Sequence, residues 1–275
     1  MGCFSKYSLT VFLFLIGNII SVSGQMKLPT SKHQFVVIAH RGDHTEVPEN
    51  TLESYKRAIK HGVDYVEIDL RTTKDSQLVI MHDESLLRMT GTKATVSSLT
   101  YDSISNLRVT DQVHPEWGSY KVPTFREVLK LCKGKIKIYL DFKNASVAQA
   151  YKEIVEEKME HHVIVYINSP KQFKNWREVA PRMPLMISLP NTILTAEALA
   201  EFLTNTKPDI LDGSYSDYTE AMIDTANKME IPVWPDIQSA LEEKNWEGAL
   251  KLKFEGLQTD HPKMLVDFLK KKGLR

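Results

Sequence analysis

Cysteine is nearly absent from this chain: Cys3 and Cys132 are the only two in 275 residues. Cys3 lies ahead of an apolar run, Leu9 to Ile20, rather than just after it, which excludes a lipoprotein attachment site. That run follows Lys6 and leads into the small residues Ser21-Val22-Ser23-Gly24 before polar character begins at Gln25. The order is that of a secretory signal peptide, with cleavage expected after Gly24. It falls short of the roughly 20 apolar residues that span a bilayer. No other stretch is long enough, so no stable membrane insertion is expected after cleavage. Residues 25–275 then hold Cys132 alone, and an intramolecular disulfide is excluded. A domain of this length buries enough core without one. Cys132 falls in an amphipathic helical pattern with no nearby histidine, and reads as a small core residue.

Net charge is also missing, with 35 basic against 35 acidic residues. That argues against nucleic acid as a partner and against a polybasic membrane patch. The basic end of the chain (Lys270, Lys271, Lys272 and Arg275) suits a helix C-terminus and solvent. A glycine-rich phosphate turn is absent after the first apolar strand, where His-Arg-Gly-Asp stands instead of G-x-G-x-x-G. This disfavours a doubly wound open sheet. A His-x-His pair is absent there too, which disfavours a metal-dependent amidohydrolase.

What the chain does have is alternation. Strand-length apolar runs at 35–41, 64–72, 135–143, 163–168, 184–189, 209–214, 231–236 and 254–260 are each followed by a helical pattern. The helical patterns cover 51–61, 124–132, 147–161, 171–179, 195–205, 218–229, 240–252 and 262–272. Eight such units in one domain, residues 25–275, predict the α/β class and a (β/α)₈ TIM barrel. Asn50 with Glu53 reads as a capping box, and prolines 123 and 262 sit beside helix starts. Residues 74–120 break the rhythm with an extra strand-like QLVIMHD and a polar, turn-rich stretch. Barrels elaborate their active sites in βα loops, so 84–120 is expected as a small insertion after the second strand that caps the site.

Polar residues interrupt the strands in a pattern. His40 and Arg41 end the first, Glu67 and Asp69 lie two apart in the second, and His82 ends the extra run. Strand side chains alternate faces, so Glu67 and Asp69 point opposite to Val66, Ile68 and Leu70. Tyr139, Asp141 and Lys143 likewise oppose Ile138, Leu140 and Phe142. With the aliphatic face toward the helices, the carboxylates point into the barrel near its C-terminal end, where barrel active sites sit. Converging carboxylates resist ionisation unless a cation joins them. An all-oxygen set suits Ca²⁺ or Mg²⁺ rather than zinc. Two histidines that titrate near neutral pH, with Arg41 and Lys143 for an anion, suit phosphoryl transfer.

These blocks carry a resemblance. HRGDHTEVPENT (40–51), EIDLRTTKD (67–75), MHDESLLRMTG (81–91), VPTFREVL (122–129), YLDFK (139–143) and GLQTDHP (256–262) closely resemble the glycerophosphodiester phosphodiesterases across essentially the whole chain after the leader. The resemblance implies metal-dependent hydrolysis of small-molecule glycerophosphodiesters to glycerol 3-phosphate and an alcohol, through a cyclic phosphate. It implies Glu67 and Asp69 as metal ligands and His40 and His82 as the acid/base pair, with Arg41 and Lys143 on phosphate. Asp141 stands where the family usually has Glu, one methylene longer, as the third acidic ligand, and is the candidate third metal ligand here. The seventh strand reads Trp234-Pro235-Asp236-Ile237 in place of Trp-Thr-Val-Asn, with Trp234 as a candidate wall of the substrate pocket. A secreted or periplasmic scavenger fits the leader and the neutral charge.

Two further functions remain open on the sequence. A phospholipase D-like enzyme acting on lysolipids or sphingolipids would need an exposed apolar ridge around 84–120 or the βα loops. A non-catalytic phosphate-binding module would be favoured by loss of His40, Glu67, Asp69 or His82, and all four are present. Other polar residues have plainer readings. Asp43, His44 and Glu46 read as loop residues, and Asp75 and Asp83 as turn residues. Glu49 either braces Arg41 or is solvated, Asn50 reads as a helix cap, and Asp260 either reaches the site or shapes a turn before Pro262.

Overall fold

A computed structural model describes residues 28–275; the expected leader, 1–24, lies outside them. The first strand, β1 (Val36–Ala39), leads to α1 (Leu52–His61), β2 (Tyr65–Thr72) and β3 (Leu78–Ile80). The short helices α2 (Leu87–Thr90) and α3 (Tyr101–Ser105) follow, then α4 (Phe125–Cys132) and β4 (Lys137–Asn144). Strict alternation continues through α5 (Val147–Glu156), β5 (Val163–Ile167), α6 (Pro170–Val179), β6 (Leu185–Ser188), α7 (Ala196–Thr206), β7 (Ile210–Asp212) and α8 (Glu220–Lys228). The last elements are α9 (Trp246–Lys251), β8 (Gly256–Thr259) and α10 (Pro262–Lys271).

Strands pair in parallel in the order β7-β6-β5-β4-β2-β1-β8. Residues 233–236 form single parallel bridges to both ends of that path, Val233 to Leu211 and Asp236 to Ser214 and Gln258. They supply the remaining barrel strand and close the ring, so the architecture is the expected (β/α)₈ barrel. β3 lies off the ring, antiparallel to β2 with Leu70 opposite Ile80.

Side-chain alternation sorts the core into two layers. Val66, Ile68, Leu70, Ile138, Leu140 and Phe142 face the helices, packed with residues such as Tyr55, Phe125 and Trp176. Inside the ring, Val36, Ile38, Tyr65, Tyr139, Ile164, Met186, Ile210 and Trp234 fill the barrel below the site. Cys132 is fully buried in the helix-facing layer, and burial pushes its thiol up to about 12. The segment after β3 has a small core of its own, in which Val79, Met81, Met89, Val96 and Ile104 meet. No helix among the described residues is long and apolar enough to cross a membrane.

Two helices differ from expectation for physical reasons. α1 is capped by Thr51, not Asn50: the Thr51 hydroxyl accepts from the Ser54 N–H, and Ser54 answers from the third helical position. Asn50 takes a left-handed backbone at φ 54°, which asparagine tolerates, and its side chain turns inward. The expected helix 240–252 is α-helical only as α9. Before it, Glu242 is fully buried and accepts from the Asp260 and His261 N–H groups, so its carboxylate ties this segment to the end of β8.

Candidate active site

The C-terminal ends of the ring strands surround a cavity of about 90 Å³. Its lining includes His40, Glu67, Asp69, His82, Asp141 and Lys143, six of the residues singled out on the sequence. Each arrives by strand alternation. Val36 and Ile38 precede His40 on the inner face of β1, and Tyr65 precedes Glu67 and Asp69 on that of β2. Tyr139, Asp141 and Lys143 succeed one another on β4, with Asp141 in register beside Asp69.

Glu67, Asp69 and Asp141 bring carboxylate oxygens within 4.8 Å of one another. Burial, then the charges of Asp69 and Asp141, hold the Glu67 carboxyl well above its usual range, against the pull of Arg41 and Lys143. Burial and Asp69 raise Asp141 in the same way. Lys143 partly offsets this, with Nζ 3.1 Å from Asp69 Oδ1 and bonded to Asp141. A buried, oxygen-only set that is short of positive charge is a possible site for a hard divalent cation. Asn168 donates to Asp141 at 2.7 Å and Asn50 donates to Asp69 at 2.7 Å, which aims both carboxylates. Tyr55 donates in turn to the Asn50 carbonyl at 2.8 Å.

Each histidine is oriented through Nδ1. His40 Nδ1 meets Asp260 Oδ1 at 2.7 Å, and His82 Nδ1 meets Asp83 Oδ1 at 2.7 Å. The bond leaves the other ring nitrogen, Nε2, as the one free for chemistry. His44 Nε2 also reaches Asp260, at 3.2 Å. Arg88, from α2, holds the second oxygen of Asp83 at 2.6 Å and grips Glu49 with both terminal nitrogens. Arg71 donates to the His82 carbonyl at 2.9 and 2.6 Å, fixing the chain where β3 runs into His82.

Two expected contacts are placed differently. Arg41 does not line the cavity: its side chain donates to Glu49 at 3.0 Å and faces Asp69 at 3.7 Å. Its backbone N–H donates to Glu67 at 2.8 Å, a contact allowed by its left-handed φ of 52°. Trp234, expected as a wall of the substrate pocket, is 4% exposed inside the barrel, against Tyr65 at a ring distance of 5.4 Å. It shares the inner face with Asp236 but lies two residues earlier on the rising strand. Asp236 therefore reaches the cavity and Trp234 packs beneath it.

Residues 40–264 match the glycerophosphoryl diester phosphodiesterase family. The chain belongs to that family. A glycerophosphodiester phosphodiesterase of Caldanaerobacter subterraneus subsp. tengcongensis is 27% identical over 254 residues, covering 86% of this chain and 99% of the relative. A human lysophospholipase D is 26% identical over 303 aligned positions, covering 96% of this chain and 94% of the relative. Among solved structures, a putative glycerophosphoryl diester phosphodiesterase from Silicibacter pomeroyi superposes with a TM-score of 0.76 at 22% identity, covering 90% of this chain and 96% of that one. An Oleispira antarctica phosphodiesterase in complex with the product sn-glycerol-3-phosphate gives 0.72 at 19%, covering 86% and 96%. At such identities the structural likeness establishes the fold.

This glycerophosphoryl diester phosphodiesterase family member also carries cavity residues that the sequence reading passed over. Asp236, Gln238 and Gln258 complete the rim opposite the carboxylates, both amides donating to Asp236. Burial moves Asp236 up to about 6 despite the bond from Gln258. Asp212 is fully enclosed, accepts from Tyr139 at 3.0 Å, and is pushed well above its usual range by burial and by Asp236. The available signal was alternation: Gln258 precedes Asp260, and Trp234 precedes Asp236, by one inward step.

Proposed function

We propose that this protein hydrolyses glycerophosphodiesters to sn-glycerol 3-phosphate and an alcohol, using His40 and His82 as the acid/base pair. The observation that carries the reading is their shared cavity: two carboxylate-oriented imidazoles line it together with Glu67, Asp69, Asp141 and Lys143. The product named for the Oleispira phosphodiesterase is the one expected here. A glycerol hydroxyl beside the phosphate attacks phosphorus as one histidine takes its proton. The P–O bond to the alcohol breaks, and the other histidine gives that alcohol a proton. Water then opens the cyclic phosphate with the two roles exchanged. Lys143 supplies positive charge for the phosphate, and Arg41 contributes from behind Asp69.

Glu67, Asp69 and Asp141 would hold a Ca²⁺ or Mg²⁺ ion. When bound, that ion supplies charge stabilisation to the phosphate oxygens. Asp141 reaches one methylene less far than a glutamate, and Asn168 holds it in place. The segment 84–120 would cap the site from outside the cavity lining, a reading supported by Arg88 of α2, which pairs with Glu49 and with Asp83 beside His82. Export after cleavage at Gly24 fits the apolar leader, and N-terminal sequencing of the exported protein tests it.

The decisive experiment is turnover of glycerophosphocholine by the purified protein and by His40→Ala and His82→Ala. General acid–base groups contribute about 10²–10⁴-fold, so each variant should lose at least about 10²-fold in kcat with an unchanged circular dichroism spectrum. Wild-type turnover in either variant would remove that histidine from the mechanism.

A further inference from the structure

His40 has two ring nitrogens in two different settings. Its imidazole lines the catalytic cavity, while Nδ1 meets Asp260 Oδ1 at 2.7 Å. The same carboxylate oxygen faces Nε2 of His44 at 3.2 Å. One ligand atom from each of His40, His44 and Asp260 lies within 4.8 Å of the other two, a cluster separate from Glu67, Asp69 and Asp141. His44 and Asp260 do not line the catalytic cavity; both line a depression of about 720 Å³ beside it. The trio is therefore reached from solvent by its own route, and His40 is the group it shares with the cavity.

Neighbouring backbone holds all three groups in place. The His40 N–H donates to the Thr259 carbonyl at 3.1 Å, which ties the end of β1 to the residue before Asp260. The Asp260 and His261 N–H groups donate to the buried Glu242. His44 lies on the loop after β1 beside Asp43, which is fully buried, donates its N–H to the Ser54 carbonyl at 3.0 Å and accepts from the Thr45 hydroxyl at 2.7 Å. Ligand atoms around a tetrahedral zinc ion, with bonds of about 2.0–2.1 Å, stand ~3.3 Å apart, so the spacing already present needs little adjustment. Two imidazoles and one carboxylate suit a borderline metal such as zinc, whereas the all-oxygen set suits a harder ion. Water from the depression can supply the fourth ligand.

We propose that His40, His44 and Asp260 form a second metal site, which takes Zn²⁺ and stops turnover when filled. The loss of turnover rests on the phosphodiesterase reading of the catalytic cavity; the binding does not. Coordination uses the lone pair of His40 Nδ1, so the single proton of the neutral ring moves to Nε2. Nε2 then has no lone pair with which to accept a proton in the cavity. Because the two catalytic histidines exchange roles between cyclisation and ring opening, His40 must accept a proton in one of those steps, and a metal on Nδ1 blocks it whichever step that is. Zinc also takes Asp260 away from its task of orienting the ring.

Zinc uptake by the untagged protein, measured against a chromophoric chelator with magnesium in excess, reads the site directly. The wild type should take up one ion per chain that His44→Gln lacks or binds at least about tenfold more weakly, since even loss of a group that merely supports a ligand costs 10–100-fold. His162→Gln, altered at the opposite end of the barrel where β5 begins, should bind as the wild type does. Glycerophosphocholine turnover, with each protein compared to its own zinc-free rate, should be half-inhibited in His44→Gln only at zinc concentrations at least about tenfold above those for the wild type. Equal uptake by wild type and His44→Gln, or equal weakening in His162→Gln, would overturn the proposal. So would inhibition of wild type and His44→Gln at the same zinc concentration, or uptake without loss of turnover. Failure of the zinc-free wild type to turn over any phosphodiester would instead sink the phosphodiesterase reading, with the uptake measurement still deciding the site.

Discussion

Asp260 Oδ1 lies 2.7 Å from Nδ1 of His40, joining residues 220 apart in the chain. The same oxygen accepts from His44, and the two imidazoles hold the Asp260 carboxyl far below its usual range although burial opposes them. Asp260→Asn should lower kcat about 10–10³-fold and leave KM within about threefold, because the ring loses its fixed tautomer rather than its place. Steady-state kinetics on glycerophosphocholine check this. A change confined to KM would assign Asp260 to substrate binding.

Glu49 binds Arg41 and Arg88 together, and this gives a signed pH dependence. Burial raises its carboxyl, but the bonds from Arg88 and the charges of Arg41 and Arg88 outweigh that and bring it down to about 2, from 4.5. A depressed acid stabilises the fold above its unfolded value and loses that contribution as pH falls toward the folded one. The contribution is about 3 kcal/mol, lost between roughly pH 5 and pH 2. Glu49→Gln should therefore be less stable than wild type at pH 7 and similar to it near pH 2. Denaturant unfolding across that range checks it, and a constant difference would refute the linkage.

The three converging carboxylates should make the cation-free protein less stable than a neutralised variant. With Glu67 held above its usual range by burial, Asp69 and Asp141, Glu67→Gln should raise the melting temperature in chelator. Added Ca²⁺ or Mg²⁺ should raise the wild-type melting temperature more than that of the variant, since a bound ion stabilises by mass action. Chelation should remove turnover, and one of the two ions should restore it. Equal thermal responses in both proteins would place the ion elsewhere.

Gly42 follows the His40-Arg41 pair at φ 83°, and a Cβ there would meet the Ser54 backbone carbon at 2.8 Å. No relaxation of a side chain relieves a contact with backbone. Gly42→Ala should cost about 1–3 kcal/mol from the strained backbone alone and shift the Arg41 N–H that donates to Glu67. Thermal melts and turnover should fall together; a stable, inactive protein would show that strain is absorbed by the site rather than the fold.

Strand and helix alternation, the aliphatic helix-facing side of β2 and β4, and the inward set Glu67, Asp69, Asp141 and Lys143 were all legible in the sequence. Each depends on a period of two within one strand, which is a local property. Thr51 instead of Asn50 as the cap was one residue beyond that resolution, because both residue types cap helices and only the left-handed backbone of Asn50 separates them. Partnerships between strands were not legible. That Asp260 serves His40, that Asn50 and Asn168 aim Asp69 and Asp141, and that Arg88 ties α2 to Glu49 follow from the ring bringing distant segments together. Height along the barrel axis was hidden too: inward direction is written in the alternation, but the level a side chain occupies depends on how each strand is staggered against its neighbours. Trp234 and Asp236 face the same way, and the stagger made one of them core and the other cavity.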